Sequence, residues 1–232
     1  MSEQLRWLDP AQVEIPAYLV DTYWWAYVNP AAVRFFERQW LVNSILWGNF
    51  GRLRDAAIEA LGSLSGRTLQ IACVYGDLTE RLSRRIPAGA ELDVVDVLPV
   101  QLDNLRRKLP AGAAVNVRLG DSASLGAASA SYDRVLLFFL LHEQPEAVRR
   151  RTLAEAVRVT KPGGSIVIVD YHRPQAWHPL RWFMAPLLAR LEPFALDLWR
   201  HELTEWLPAG SWEVVSSDRY FGGLYQRLVI RL

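Results

Sequence analysis

The sequence contains a single cysteine, Cys73, among 232 residues. One thiol excludes an intramolecular disulfide framework and any zinc cluster built on cysteines, and it fits a reducing compartment. Neither sign of charge is in excess: 26 Lys and Arg stand against 25 Asp and Glu, for a net +1. Without a concentrated basic surface the chain has no electrostatic footprint for nucleic acid. With 51% hydrophobic residues it also lacks the composition of a disordered chain. Long apolar runs are missing too. The uncharged stretches at 22–33 and 39–51 are broken by Asn, Pro and Gly, short of the roughly 18–20 apolar residues a membrane span needs. Met1 to Arg6 carries charges and no apolar run, so it does not read as a secretory signal and a cytoplasmic chain is expected. No internal repeat or low-complexity segment is present, and nothing in the sequence specifies an oligomeric state. The length suits one α/β core with a modest extension.

Tryptophan is absent from the middle of the chain. All ten lie at 7–47 or 177–212, within segments such as TyrTrpTrpAlaTyr at 23–27 whose pattern is helical. This predicts an aromatic helical cap over 1–60, and a helical insertion at about 175–208 within a domain spanning 61–232. Aromatic rings most often pack a core. Gathered at one edge of a sheet they also form a pocket for a flat apolar ligand, and Trp with flanking Arg suits the headgroup zone of a bilayer. Composition leaves these three open.

The middle alternates strand and helix. Strands are predicted at 67–74, 91–97, 115–119, 132–141 and 165–170, with a closing antiparallel pair at 212–216 and 225–230. Helices are expected at 99–109, with Pro99 in the first turn, and at 145–160, broken by LysProGlyGly at 161–164. Alternation implies parallel pairing with right-handed crossovers, and ligands bind outside the carboxyl ends of such strands. Asp77, Asp96, Asp121, His142, Glu143, Asp170 and His172 all follow apolar runs at that edge. Asp96, closing the second strand, is suited to accept from both ribose hydroxyls of a nucleoside, and Asp121 is similarly suited to an adenine amino group. The runs ArgArgLys at 106–108 and ArgArgArg at 149–151 read as solvated helix faces.

Gly76 in the first turn, Asp96 after the second strand, GlyAsp at 120–121 and ProGlyGly at 162–164 together resemble the class I S-adenosylmethionine-dependent methyltransferases. The resemblance implies a Rossmann-like α/β fold with a mostly parallel seven-stranded sheet. It also implies a cofactor set of Gln70, Val74, Tyr75, Gly76, Asp77, Asp96 and Asp121. The first turn departs from the pattern: Gln70 stands at the acidic position, and Val74 and Tyr75 stand in the glycine loop. A β-branched residue does not permit the close backbone approach that glycine does. A neutral Gln70 also removes a charge that would favour a protonated cofactor amine, and a neutral amine is a nucleophile.

The segments TyrTrpTrpAlaTyrValAsnPro at 23–30, ValTyrGlyAsp at 74–77, LeuLeuHisGluGlnPro at 140–145 and AspTyrHisArgPro at 170–174 resemble the RquA family. These are the methyltransferase-like enzymes of rhodoquinone biosynthesis. The resemblance implies conversion of ubiquinone to rhodoquinone, a ring methoxy group giving way to an amino group, with S-adenosylmethionine as amino donor and Mn2+ as activator. Oxygen and imidazole ligands suit manganese, and the expected ligands are His142, Asp170 and His172. Tyr75, His142 and His172 are the expected catalytic residues, Tyr75 orienting the quinone or moving a proton. The aromatic insertion would enclose the ring and isoprenoid tail, which suggests peripheral contact with the inner face of the cytoplasmic membrane. Two other readings stand beside this one: an ordinary methyltransferase on a quinone or phenol with His142 as general base, and an inactive S-adenosylmethionine-binding sensor.

Overall fold

The computed structural model describes residues 14–232. Residues 1–13, with Trp7 and the opening segment read above for a secretory signal, lie outside the described residues, as does that part of the expected cap.

Among the described residues four short helices precede the sheet: α1 (Ala17–Tyr23), α2 (Pro30–Phe36), α3 (Gln39–Ile45) and α4 (Phe50–Leu61). A π-helical turn at Trp24–Val28 links the first two. Asn29 starts α2 by accepting the Ala31 N–H on its side chain, and Pro30 in the first turn needs no donor partner. The alternating region follows as β1 (Arg67–Ile71), α5 (Leu78–Ser83), β2 (Glu91–Asp96), α6 (Pro99–Lys108), β3 (Val115–Leu119), β4 (Tyr132–Phe138), α7 (Glu146–Val159) and β5 (Thr160–Tyr171). The chain then forms α8 (Arg181–Leu191) and α9 (Asp197–Arg200) and closes with β6 (Glu213–Tyr220) and β7 (Tyr225–Arg231).

The seven strands lie in the order β3-β2-β1-β4-β5-β7-β6. Pairing is parallel from β3 through β5 and antiparallel where β7 joins β5 and β6. This is the expected Rossmann-like architecture. Strand order reverses between β1 and β4, and a crevice opens there outside the strand ends. The central strands are apolar on both faces, with Val135, Leu136, Leu137, Ile166, Val167 and Ile168 fully buried.

Three expectations are corrected. LysProGlyGly at 161–164 does not separate helix from strand, because Thr160 already pairs with Tyr132 and a register shift absorbs the irregularity. Arg149 is not on a solvated face: it is fully buried and donates to the carbonyls of Leu141, Gln144 and Phe194, with its guanidinium 4.2 Å from the Trp206 ring centroid. Lys108 likewise turns inward and bonds Glu37.

One buried carboxylate clamps the amino-terminal side of the sheet. Asp93 on β2 has no solvent exposure and accepts from Arg67 at 2.7 Å, Tyr132 at 2.6 Å and Asn116 at 2.8 Å. Removing it leaves three donors without their acceptor. Asp93→Ala should therefore lower the free energy of unfolding by about 3 kcal/mol, measured by urea titration; a loss within error of zero would contradict the clamp.

Candidate active site

The carboxyl ends of β1 and β4 lie side by side, and each is followed by a non-glycine residue in the left-handed region: Ala72 at φ 72° and Phe139 at φ 52°. Such strain persists only where the surroundings hold it, and it gathers at functional sites. Gln70 does part of that holding. It is fully buried, its amide donates to the Ala72 carbonyl at 2.9 Å, and its carbonyl accepts from Thr79 at 3.0 Å. The expected cofactor contact at Gln70 is therefore corrected to a support beneath the first turn.

On the β2–β3 side a small crevice is lined by Asp96, Val97, Leu98, Gly120, Asp121 and Ser122. Asp96 accepts the N–H groups of Cys73 at 2.7 Å and Leu98 at 2.8 Å. Burial pushes its carboxyl up to about 6, against the pull of those donors. Asp121 Oδ1 caps its own turn by accepting from Ala123. The two carboxylates share the wall expected of a nucleoside subsite, and Tyr18 and Leu19 of the cap close it from outside.

The cap covers the first turn itself. Gly76 has φ 83°, and a Cβ there would come within 2.7 Å of the Phe50 ring, so the position demands glycine for both reasons. Its N–H donates to Glu37, which also accepts from Lys108 at 2.7 Å and Asn104 at 2.6 Å. Asp77 faces away and binds Arg54 and Arg81. Gly76 and Asp77 are therefore corrected from cofactor contacts to groups engaged by the protein itself. Tyr75 is an anchor. Its hydroxyl donates to the Ala26 carbonyl at 2.6 Å and accepts from Gln101 at 3.0 Å, while its ring stacks on Tyr27 and Phe36. A hydroxyl whose proton is committed to the cap backbone, and whose pKa burial raises, is not placed for proton transfer.

Between the sheet edge, α3 and α8 lies a cavity of about 420 Å³, walled by Val74, Phe138, Trp47, Met184 and other apolar side chains. It shares Tyr27, Cys73, Gln101, Phe139 and Glu143 with the crevice beside Asp96 and Asp121, so the two spaces adjoin. Its polar end is a cluster around His142. Asp170, fully buried at the end of β5, accepts the N–H groups of Leu141 at 2.8 Å and Tyr171 at 2.8 Å and pairs with His142 Nδ1 at 2.9 Å. This leaves Nε2 turned toward Glu143 at 3.9 Å and Glu192 at 4.0 Å. Glu192 Oε2 is buried and has no hydrogen-bond partner.

Burial alone would lower the His142 pKa, but Asp170, with Glu192 and Glu143, outweighs it and raises the imidazole to about 9. Burial raises the Glu143 carboxyl to about 8, and it raises Glu192 as well. Near neutrality the cluster thus holds ionisable protons facing an apolar space, an arrangement suited to acid catalysis.

The expected metal set is not brought together. His172 lies on the other side of β5, its Nδ1 3.0 Å from the Gly223 carbonyl and its Nε2 3.5 Å from Glu202. The Asp170 oxygens are engaged by backbone N–H groups and by His142. Among the described residues no group of three or more His, Cys, Asp or Glu is arranged to hold a metal ion. His142, Asp170 and His172 are therefore corrected as manganese ligands, and His172 as a catalytic residue. Glu192 was not anticipated. The available signal was a lone carboxylate closing an otherwise basic and apolar helix, ArgTrpPheMetAlaProLeuLeuAlaArgLeuGlu at 181–192.

A methyltransferase-domain family model matches residues 68–164. A demethylmenaquinone methyltransferase of Renibacterium salmoninarum is 28% identical over 205 residues, covering 79% of this chain and 83% of that protein. A second, from Beutenbergia cavernae, is 30% identical over 180 residues, covering 72% and 70%. Among solved structures, the [4+2]-cyclase SpnF superposes with a TM-score of 0.61 at 20% identity, over 88% of this chain and 97% of that one. That likeness concerns the fold.

The cluster makes stability depend on pH. The folded imidazole keeps its proton above the ordinary 6.5, so its contribution is complete below 6.5 and is lost as pH rises through about 9. The folded Glu143 also holds a proton between 4.5 and about 8 that the unfolded chain releases, so it too lowers stability with rising pH. Asp170→Asn should bring the His142 pKa from about 9 toward 6.5, read by NMR titration of the imidazole C–H. An unmoved pKa would remove Asp170 as its cause.

Proposed function

The chain belongs to the class I S-adenosylmethionine-dependent methyltransferase family, and from that premise we propose that it acts on the ring of an isoprenoid quinone, replacing a methoxy group by an amino group. S-adenosylmethionine is the amino donor in this reading and ubiquinone the acceptor, as in the RquA family that the sequence resembles. The observation that carries it is the apolar, aromatic-walled cavity that adjoins the nucleoside crevice and ends in His142, Glu143 and Glu192. A quinone ring and the start of its tail match such a space in shape and polarity. The relatives named as demethylmenaquinone methyltransferases support a quinone as the substrate class. The reading carries with it a cytoplasmic chain with access to quinone dissolved in a membrane. Among the described residues no helix is long and apolar enough to cross one.

The chemistry follows from the protonated groups. A methoxyquinone is a vinylogous ester, so the carbon bearing methoxy accepts a nucleophile when the conjugated carbonyl is polarised. His142 Nε2–H, charged through Asp170, is the donor to that carbonyl oxygen. The amine nitrogen bonds to the ring carbon, the carbon–oxygen bond to methoxy breaks, and Glu143 gives its proton to the departing methoxide. The resulting Glu143 carboxylate takes the proton lost by the amine, which releases methanol and leaves the cofactor joined to the ring through nitrogen. Loss of the proton on the carbon bearing that nitrogen then passes two electrons into the quinone, giving the imine of an aminohydroquinone, and water hydrolyses the carbon–nitrogen bond to leave the aminohydroquinone and the 2-oxo acid of the cofactor. Neutral Gln70, enclosed by Ala72 and Thr79, supplies no negative charge to keep the amine protonated. Manganese would supply polarisation as a Lewis acid, but the expected ligand set does not fit it and no step here passes through a metal.

A second reading has a specific observation behind it. The relatives' own names describe methyl transfer, and the same cavity would then hold an acceptor whose proton passes to His142 or Glu143.

Purified protein incubated with S-adenosylmethionine and a short-tailed ubiquinone should consume the quinone, followed by mass spectrometry. Turnover should fall as pH rises through about 8, where Glu143 loses its proton. Glu143→Gln should lower kcat by about 10²-fold or more with a small change in KM. Cofactor binding with an unaltered quinone would favour the sensor instead, and a Gln variant at full rate would remove Glu143 from the chemistry.

A further inference from the structure

The mouth of the cavity is unusually apolar for a surface. Trp25, Ile45, Trp47 and Leu191 line the cavity and are also exposed. Phe183 packs edge-on against Trp47, with ring centroids 6.0 Å apart, which joins the tip of α8 to α3 across the opening. Outside this rim Trp182 is 81% exposed and Trp177 72%. Single exposed apolar residues are ordinary, but a contiguous aromatic patch around a cavity marks a contact surface.

On the α8 and α3 sides of the rim the charges are mainly basic, whereas Asp21 is the exposed acid near Trp25. From His172 to Leu191 the sequence has Arg173, Arg181 and Arg190 and no carboxylate. From Pro30 to Trp47 it has Arg34 and Arg38 and one acid, Glu37, which turns inward to Lys108. Arg173, Arg181 and Arg200 also line a surface hollow of about 370 Å³ beside α8. Its two glutamates are already engaged, Glu202 with Arg219 and Glu205 with His201. Among the described residues the guanidinium groups of Arg173 and Arg181 have no partner, and Trp199 Nε1, also at this hollow, is buried without an acceptor. Aromatic side chains with unpaired arginines beside them match the two zones of an anionic bilayer surface, acyl boundary and phosphate.

We propose that this face docks on an anionic lipid bilayer, Trp177, Trp182 and the rim entering the headgroup zone while Arg173, Arg181 and Arg190 meet lipid phosphates. The cavity then opens directly into the membrane, and an apolar substrate tail reaches the site without crossing water. This deepens the quinone reading by naming the surface through which substrate enters, and its test reads binding alone.

The full chain is mixed with vesicles of phosphatidylcholine alone or with about a quarter phosphatidylglycerol, and co-sedimentation is measured at low and high salt. Two double variants are compared, Trp177→Glu with Trp182→Glu and Arg181→Glu with Arg190→Glu, each checked for native circular dichroism. Binding to the anionic vesicles at least about tenfold tighter than to neutral ones, weakened by salt and lost about tenfold in each variant, is the expected result. Equal binding to both vesicles, no binding, or binding unchanged in the variants overturns the proposal. So does a dimer in vesicle-free solution that the tryptophan substitutions convert to a monomer, because a second copy would then cover the face. Vesicle binding by a chain that leaves quinone unaltered would keep this proposal and sink the proposed reaction.

Discussion

The site depends on one buried carboxylate. Asp170 ends β5 with no solvent exposure and accepts backbone N–H groups from Leu141, His142 and Tyr171. It thereby fixes the loop after β4 to the end of β5. The same carboxylate takes His142 Nδ1, which orients the ring and turns Nε2 into the cavity. A buried charge is tolerated only with this degree of partnering. The charged imidazole follows from it, while burial raises the carboxyl of Glu143 beside it and leaves an oxygen of Glu192 opposite without a partner.

The cap completes what the sheet begins. Open α/β sheets leave their functional edge exposed to water, and here Tyr75, Glu37 and Lys108 fasten an aromatic layer across it. Tyr75 reaches the backbone of the π-helical turn, and Glu37 reaches the first turn and α6. Tyr75, which departs from the usual glycine loop, is thus one of the residues that hold the cap in place. From the other side α8 contributes Met184, Leu188 and Glu192. An apolar enclosure strengthens electrostatic interactions within it, which lets a few protonated groups act strongly on a bound ring.

Much of the fold was legible because its signals are local. Continuous apolar runs such as 135–141 mark buried parallel strands, and Pro99 marks a helix start. Asp96 ends β2 and Asp121 follows β3 by two residues, so the two carboxylates line one crevice. The metal set failed for a geometric reason. His142 and His172 both follow the sheet edge in sequence, but the chain leaving β5 carries His172 to the far side, against Gly223. Gln70, Gly76 and Asp77 were legible as a turn but not as groups bonded by Thr79, Glu37 and Arg54, since those partners come from other segments. Glu192 escaped notice because its role arises only when α8 folds back over the cavity. Arg149 was misread because a run of three arginines on a helix conceals which one faces inward.

The central claim is that a quinone held beside His142 and Glu143 receives nitrogen from the cofactor. The most direct measurement uses S-adenosylmethionine labelled with 15N in its amino group and 13C in its methyl group, with short-tailed ubiquinone as acceptor and mass spectrometry of the recovered quinone. The account predicts a product that has lost methoxy and carries 15N without 13C. A product carrying 13C and retaining both methoxy groups would contradict it.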